Sequence, residues 1–184
     1  MITSEEAAHA IEGMLRLARF DRHLGEGFGR DYAACGRSFF AYVLALPVIL
    51  WLCSVEGSTP EVARPGLLMF ANGLSFVIET AGFPLLLLFV LKVYGRADRW
   101  AWFVTGYNWF NATQLTFLVS VAALGKWPAL VAQIYVLVLE AFLAEAMLEI
   151  GGFRAAGIVL LDVFFGLGVD AVGRWIGTGV FSFF

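Results

Sequence analysis

Histidine and cysteine are nearly missing from these 184 residues, two of each, and charged residues make up only 15%. Both histidines, His9 and His23, stand before the first apolar run, so neither can complete a metal, haem or general-base site among the acids further along. Cys35 and Cys53 would lie about 27 Å apart on one helix and cannot bridge in that state. They read as small buried apolar residues, with a reactive or lipid-carrying Cys35 as the other reading. Zinc-protease helix, paired-cysteine metal site, nucleophile elbow and phosphate-binding glycine loop are all missing. The glycine-rich run Gly25 to Arg30 follows an amphipathic helix and not a strand, so it lacks the setting of a nucleotide loop. Twelve basic residues against fifteen acidic ones give a net charge of −3. With no basic face independent of the apolar runs, nucleic acid is excluded as a partner. These gaps lead us to expect no enzymatic activity, no metal and no cofactor.

What the chain has in abundance is apolar sequence. Hydrophobic residues make up 60% and the mean hydropathy is +0.81, well above the roughly 45–50% apolar content of soluble domains. The expected fold is an all-α, polytopic integral membrane bundle of about five transmembrane helices with an amphipathic N-terminal helix. Spans are expected at about 38–55, 66–94, 100–124, 129–150 and 153–175, each near the 20 or so residues that cross a bilayer. Pro47 predicts a kink in the first. The second is overlong and interrupted by Asn72, Gly73, Glu79, Gly82 and Pro84, which predicts a tilted or broken helix. Turn chemistry fills the loop from Glu56 to Arg64 and the Gly125-Lys126-Trp127-Pro128 turn, and a short apolar tail runs from Gly177 to Phe184.

Residues 1–37 form a separate arm. No short apolar core opens the sequence, so no cleavable signal is expected. Thr3 and Glu6 have the spacing of a capping box, and Ala7, Ala8, Ile11, Met14, Leu15 and Ala18 recur at helical steps. Arg16, Arg19, Arg22, Arg30 and Arg37 follow, interleaved with Phe20, Phe28 and Tyr32. Such an arm either lies on the membrane surface against anionic lipid headgroups or packs on the near ends of the bundle. Five spans place the termini on opposite sides. Arg16, Arg19, Arg22, Arg30, Arg37, Lys92, Arg96, Arg99 and Arg154 then fall on the amino-terminal side, against Arg64, Lys126 and Arg174 on the other. That asymmetry predicts a cytoplasmic amino terminus.

Polar residues inside the apolar runs are the candidate site. On the third span Asn108, Asn111 and Gln114 follow one another at i+3 and form a slowly drifting stripe. Glu79, Glu140 and Asp162 each lie roughly 8–12 residues into their own spans, near the depth of that stripe. An ionised carboxylate at a bilayer centre costs about 2.5–3.5 kcal/mol, so these acids should face inward and be protonated, hydrogen-bonded or hydrated. Gln133 shares a face with Glu140. Glu145 and Glu149 read as solvated end charges, with Arg154 in reach of Glu149. Asp170 and Arg174 read as an ion pair within one helix, and Gly157, Gly166, Gly168 and Gly173 as points of close helix approach. The cluster titrates protons or binds a solute, or else its hydrogen bonds fix the packing.

Three short pieces, Leu17-Ala18-Arg19-Phe20-Asp21, Gly36-Arg37-Ser38-Phe39 and Tyr107-Asn108-Trp109, together resemble an uncharacterised group of small alphaproteobacterial membrane proteins. That group is distantly similar to the five-span Yip family, whose eukaryotic members bind Rab GTPases in vesicle traffic. The resemblance implies no enzymatic activity, and Rab binding does not carry over to a bacterial chain. The leading expectation is a membrane scaffold or interaction subunit, with the bilayer, another membrane protein or a second copy of the chain as partner. The alternative is a small transporter of protons or solute that uses the acid and amide cluster.

Overall fold

The computed structural model describes residues 2–57 and 65–178. Residues 58–64 of the expected loop, residues 179–184 of the expected tail and the side chain of Cys53 lie outside the described residues. Seven α-helices and two short 3₁₀ turns follow in order, and among the described residues there is no strand.

Helix α1 (Ser4–Ala18) opens on the expected capping box. Glu6 N–H donates to Thr3 Oγ1 at 3.1 Å, and Thr3 N–H donates to Glu6 Oε2 at 3.0 Å. A 3₁₀ turn (Arg22–Gly27) and a separate short helix α2 (Tyr32–Ser38), capped by Asp31, complete the arm. Then come α3 (Ala41–Gly57), α4 (Pro65–Tyr94), α5 (Trp100–Ala122), α6 (Lys126–Leu148) and α7 (Gly152–Thr178). Helix α3 thus begins three residues after the expected start of the first span, because the chain bends at Phe39-Phe40 between α2 and α3.

Three helical stretches, Gly66–Tyr94, Lys126–Leu148 and Gly152–Ile176, are long and apolar enough to cross a membrane. Helix α4 has 30 residues, roughly 45 Å at the helical rise and longer than the roughly 30 Å hydrocarbon core. It packs along α7, where a Cβ on Gly173 would collide with Ser75 Oγ and one on Gly82 would meet the Phe165 ring at 2.7 Å. Gly166 also faces α4, at 3.9 Å from Glu79. Gly157 and Gly168, expected to serve the same purpose, have nothing within 4 Å.

Helix α5 is the hub. It touches α1, α2, α3, α4 and α6, and residues 103–110 are buried without a break. Being surrounded by protein explains its sequence: it carries Thr105, Gly106, Asn108 and Asn111 where a lipid-facing helix would carry aliphatic residues. The rest of the bundle closes around it through α6 on α7 and α7 on α4. Phe83, Leu87, Phe103, Leu143 and Met147 fill the core towards the arm.

The arm folds back onto this end. Gly25 accepts a hydrogen bond from the Trp102 indole at 3.0 Å, and Phe28 is buried beside Gly13 and Gly106. Of the five arginines proposed for the membrane surface, four are turned to the chain itself. Arg16 bonds Glu12 at 2.7 Å and Glu26 at 2.8 Å, and Arg22 reaches Glu145 at 3.0 Å. Arg37 holds Glu6, and Arg30 lies 4.5 Å from the Trp102 ring centre. The arm packs on α5 and α6 of the bundle. Arg19 is exposed. Glu149 pairs with Arg99 at 2.8 Å and lies 3.7 Å from Arg96, while Arg154 covers the Tyr94 ring instead of reaching Glu149. Glu145 and Glu149 are therefore paired and not merely solvated.

Candidate functional site: an acid-lined cavity between the helices

A cavity of about 390 Å³ lies at mid-length of the bundle and extends away from the arm. Its direction follows from the lining. Gln114 and Leu118 belong to the later half of α5, Gln133 to the early half of α6, Phe76 to the early half of α4, and Asp170 to the last third of α7. These portions lie away from the Arg22–Gly27 turn and α2, while Gln114 also borders a groove along α1. Tyr107 closes the other side, with Phe83 and Phe103 packed against its ring at 5.1 and 5.8 Å.

Five of the six residues expected at mid-depth line this cavity: Glu79, Asn111, Gln114, Glu140 and Asp162. The sixth, Asn108, does not. Three residues turn a helix by roughly 300°, so an i+3 stripe drifts roughly 60° per step, and Asn108 and Gln114 end up facing different neighbours. Asn108 is fully buried, donates to Ser38 Oγ at 2.8 Å and accepts from Tyr42 Oη at 3.4 Å. Asn111 donates to the same Tyr42 oxygen at 3.5 Å and accepts from Gln114. Ser38 lines a second cavity, about 300 Å³, between the arm and the bundle, whereas Tyr42 lines the first. Asn108 is thus the layer between two cavities.

The acids come from three helices. Tyr107 Oη donates to Asp162 Oδ2 at 2.7 Å. Glu140 from α6, Glu79 from α4 and Asp170 from α7 line the same cavity, Asp170 standing one turn before Arg174. Glu140 is only 4% exposed, yet its Oε1 has no hydrogen-bond partner; the same holds for Glu79 Oε1 and Gln114 Oε1. Among the described residues no lysine, arginine or histidine lines the cavity. Such a wall accepts hydrogen bonds and carries negative potential, with few groups to answer either.

Tyr42, Thr80 and Tyr107 line the cavity too and were not singled out from the sequence. Tyr107 sits within the polar centre of its span, but tyrosine hydroxyls in apolar runs read equally well as interface anchors. Outside the spans, Cys35 is buried in α2, and loss of solvation pushes its thiol up to about 11, so it is a poor nucleophile. Among the described residues no group of histidine, cysteine, aspartate or glutamate is arranged to hold a metal ion. Comparison of the chain with protein-family models, curated proteins and solved structures gives no match.

Proposed function

We propose that the protein is a non-enzymatic, five-span membrane protein that passes a proton or a small solute by way of the cavity between α4, α5, α6 and α7. In this reading α3 and α5 join the three long apolar helices in crossing the bilayer. The arm then lies on the cytoplasmic side of a bacterial inner membrane and the cavity extends towards the opposite face. One observation carries it: carboxyl groups from three helices converge on one cavity, with buried oxygens left without donors. Ionisable groups within a membrane are costly and ordinarily belong to pathways or binding sites. The test begins with single cysteines at positions 79, 108, 140 and 162 in a cysteine-free background, labelled with a small water-soluble thiol reagent. Labelling at 79, 140 and 162 with protection at 108 is expected, and uniform protection would mean a dry core and end the reading. In proteoliposomes Glu140→Gln and Asp162→Asn should each reduce pH-driven proton flux.

A scaffold role is the second reading, favoured by the outward face of α1. Ile11 and Leu15 stay more than half exposed beside an apolar groove formed with α5 and α6. Its test is replacement of Arg16, Arg19 and Arg22 by glutamate. Unchanged recovery of membrane partners would remove it.

A further inference from the structure

Resting on the transport reading, the chemistry of the cavity wall also narrows what the site holds. Its unanswered atoms are all acceptors: Glu79 Oε1, Gln114 Oε1 and the nine-tenths-buried Glu140 Oε1. A buried acceptor without a donor costs about 1–3 kcal/mol, so the complementary occupant brings N–H or O–H groups. Glu79, Glu140, Asp162 and Asp170 surround it with no fixed cation in the lining among the described residues, which selects positive charge among donors. An inorganic ion fits poorly, because the acids are spread over the wall and not gathered around one point. Tyr42, Phe76 and Tyr107 add aromatic side chains to the lining.

We propose that this cavity is a binding site for a small organic cation bearing N–H donors, of the primary ammonium or guanidinium class. Its N–H groups reach the open oxygens of Glu140, Glu79 and Gln114. A volume of about 390 Å³ accommodates a ring or short chain beside the charged head.

The full chain in nanodiscs is titrated calorimetrically with benzylammonium, with benzyl alcohol as the neutral match in shape and sodium chloride as the inorganic cation. Saturable one-site binding of benzylammonium is expected, weakened at least tenfold in Glu140→Gln and unchanged in Glu145→Gln, whose carboxylate lies at the arm. Should Glu140→Gln not yield folded protein, Glu79→Gln carries the same expectation. Equal binding of benzyl alcohol, displacement by an equal concentration of sodium, unaltered binding in the cavity variants or no saturable binding would each overturn the ligand class. Positive cysteine labelling with no ammonium binding would leave the transport reading standing and remove only this refinement.

Discussion

The two parts of the bundle treat their polar groups in opposite ways. Around the arm Glu6, Glu12, Glu26, Glu145 and Glu149 each meet an arginine. Among the described residues no basic side chain lines the cavity beside its four acids, and three buried oxygens have no donor. Half-exposed ion pairs contribute little each, so the arm is held by them only in sum, together with the apolar contacts of Leu17, Leu24 and Phe28. Unanswered buried oxygens work against folding. Their presence in an otherwise well-packed bundle separates what the chain needs for its shape from what it keeps for a task.

The sharpest way to break this contrast is at the tightest point of the arm. A Cβ on Gly27 would run into the His9 carbonyl oxygen and the Gly13 backbone, which cannot swing aside as a side chain can. Gly27→Val should cost about 3 kcal/mol and release the arm to limited proteolysis; a variant as resistant as the parent would show that the arm is not held there. Next in size is the layer between the two cavities. Asn108→Leu leaves Tyr42 and Ser38 without their amide partner and should cost about 1–3 kcal/mol in denaturant unfolding. Gln114→Leu in the cavity wall should cost about 1 kcal/mol, since the oxygen it removes has no donor while the N–H given to Asn111 is lost with it. A smaller effect is expected from Arg37→Met. Its hydrogen bond to Arg37, followed by the Thr3 N–H, holds the Glu6 carboxyl below its ordinary value of 4.5. That contribution is present above pH 4.5 and is lost as pH falls through the lowered value. Melting curves of parent and variant should therefore differ slightly at neutral pH and converge on acidification.

The legible part of the fold was its helical class and its apolar helices, because hydropathy and length are properties of single segments. The stripe on α5 was visible too, yet the i+3 drift that turns Asn108 away from Gln114 shows only when the neighbours are in place. Packing of the arm on the bundle was one of two open readings, but its contacts were not legible. Arg37 finds Glu6 at a separation of 31 residues and Arg22 finds Glu145 at 123, and no local pattern encodes pairs so distant. Asp170 stands one turn before Arg174, as the four-residue spacing indicates. Its place with Glu79 on the cavity wall depends on the close approach of α4 and α7 at Gly166 and Gly173.

The 123-residue interval between Arg22 and Glu145 has a consequence for how the protein is made. At roughly 5–20 residues per second of synthesis, the arm emerges roughly 6–25 seconds before its last docking partner. During that time Phe28, Leu24 and the charges around them have no bundle to meet. The part of the chain made early is thus among the last to settle, and a nascent protein stalled before α6 would present this arm, unclasped, to whatever chaperone or membrane surface is nearest.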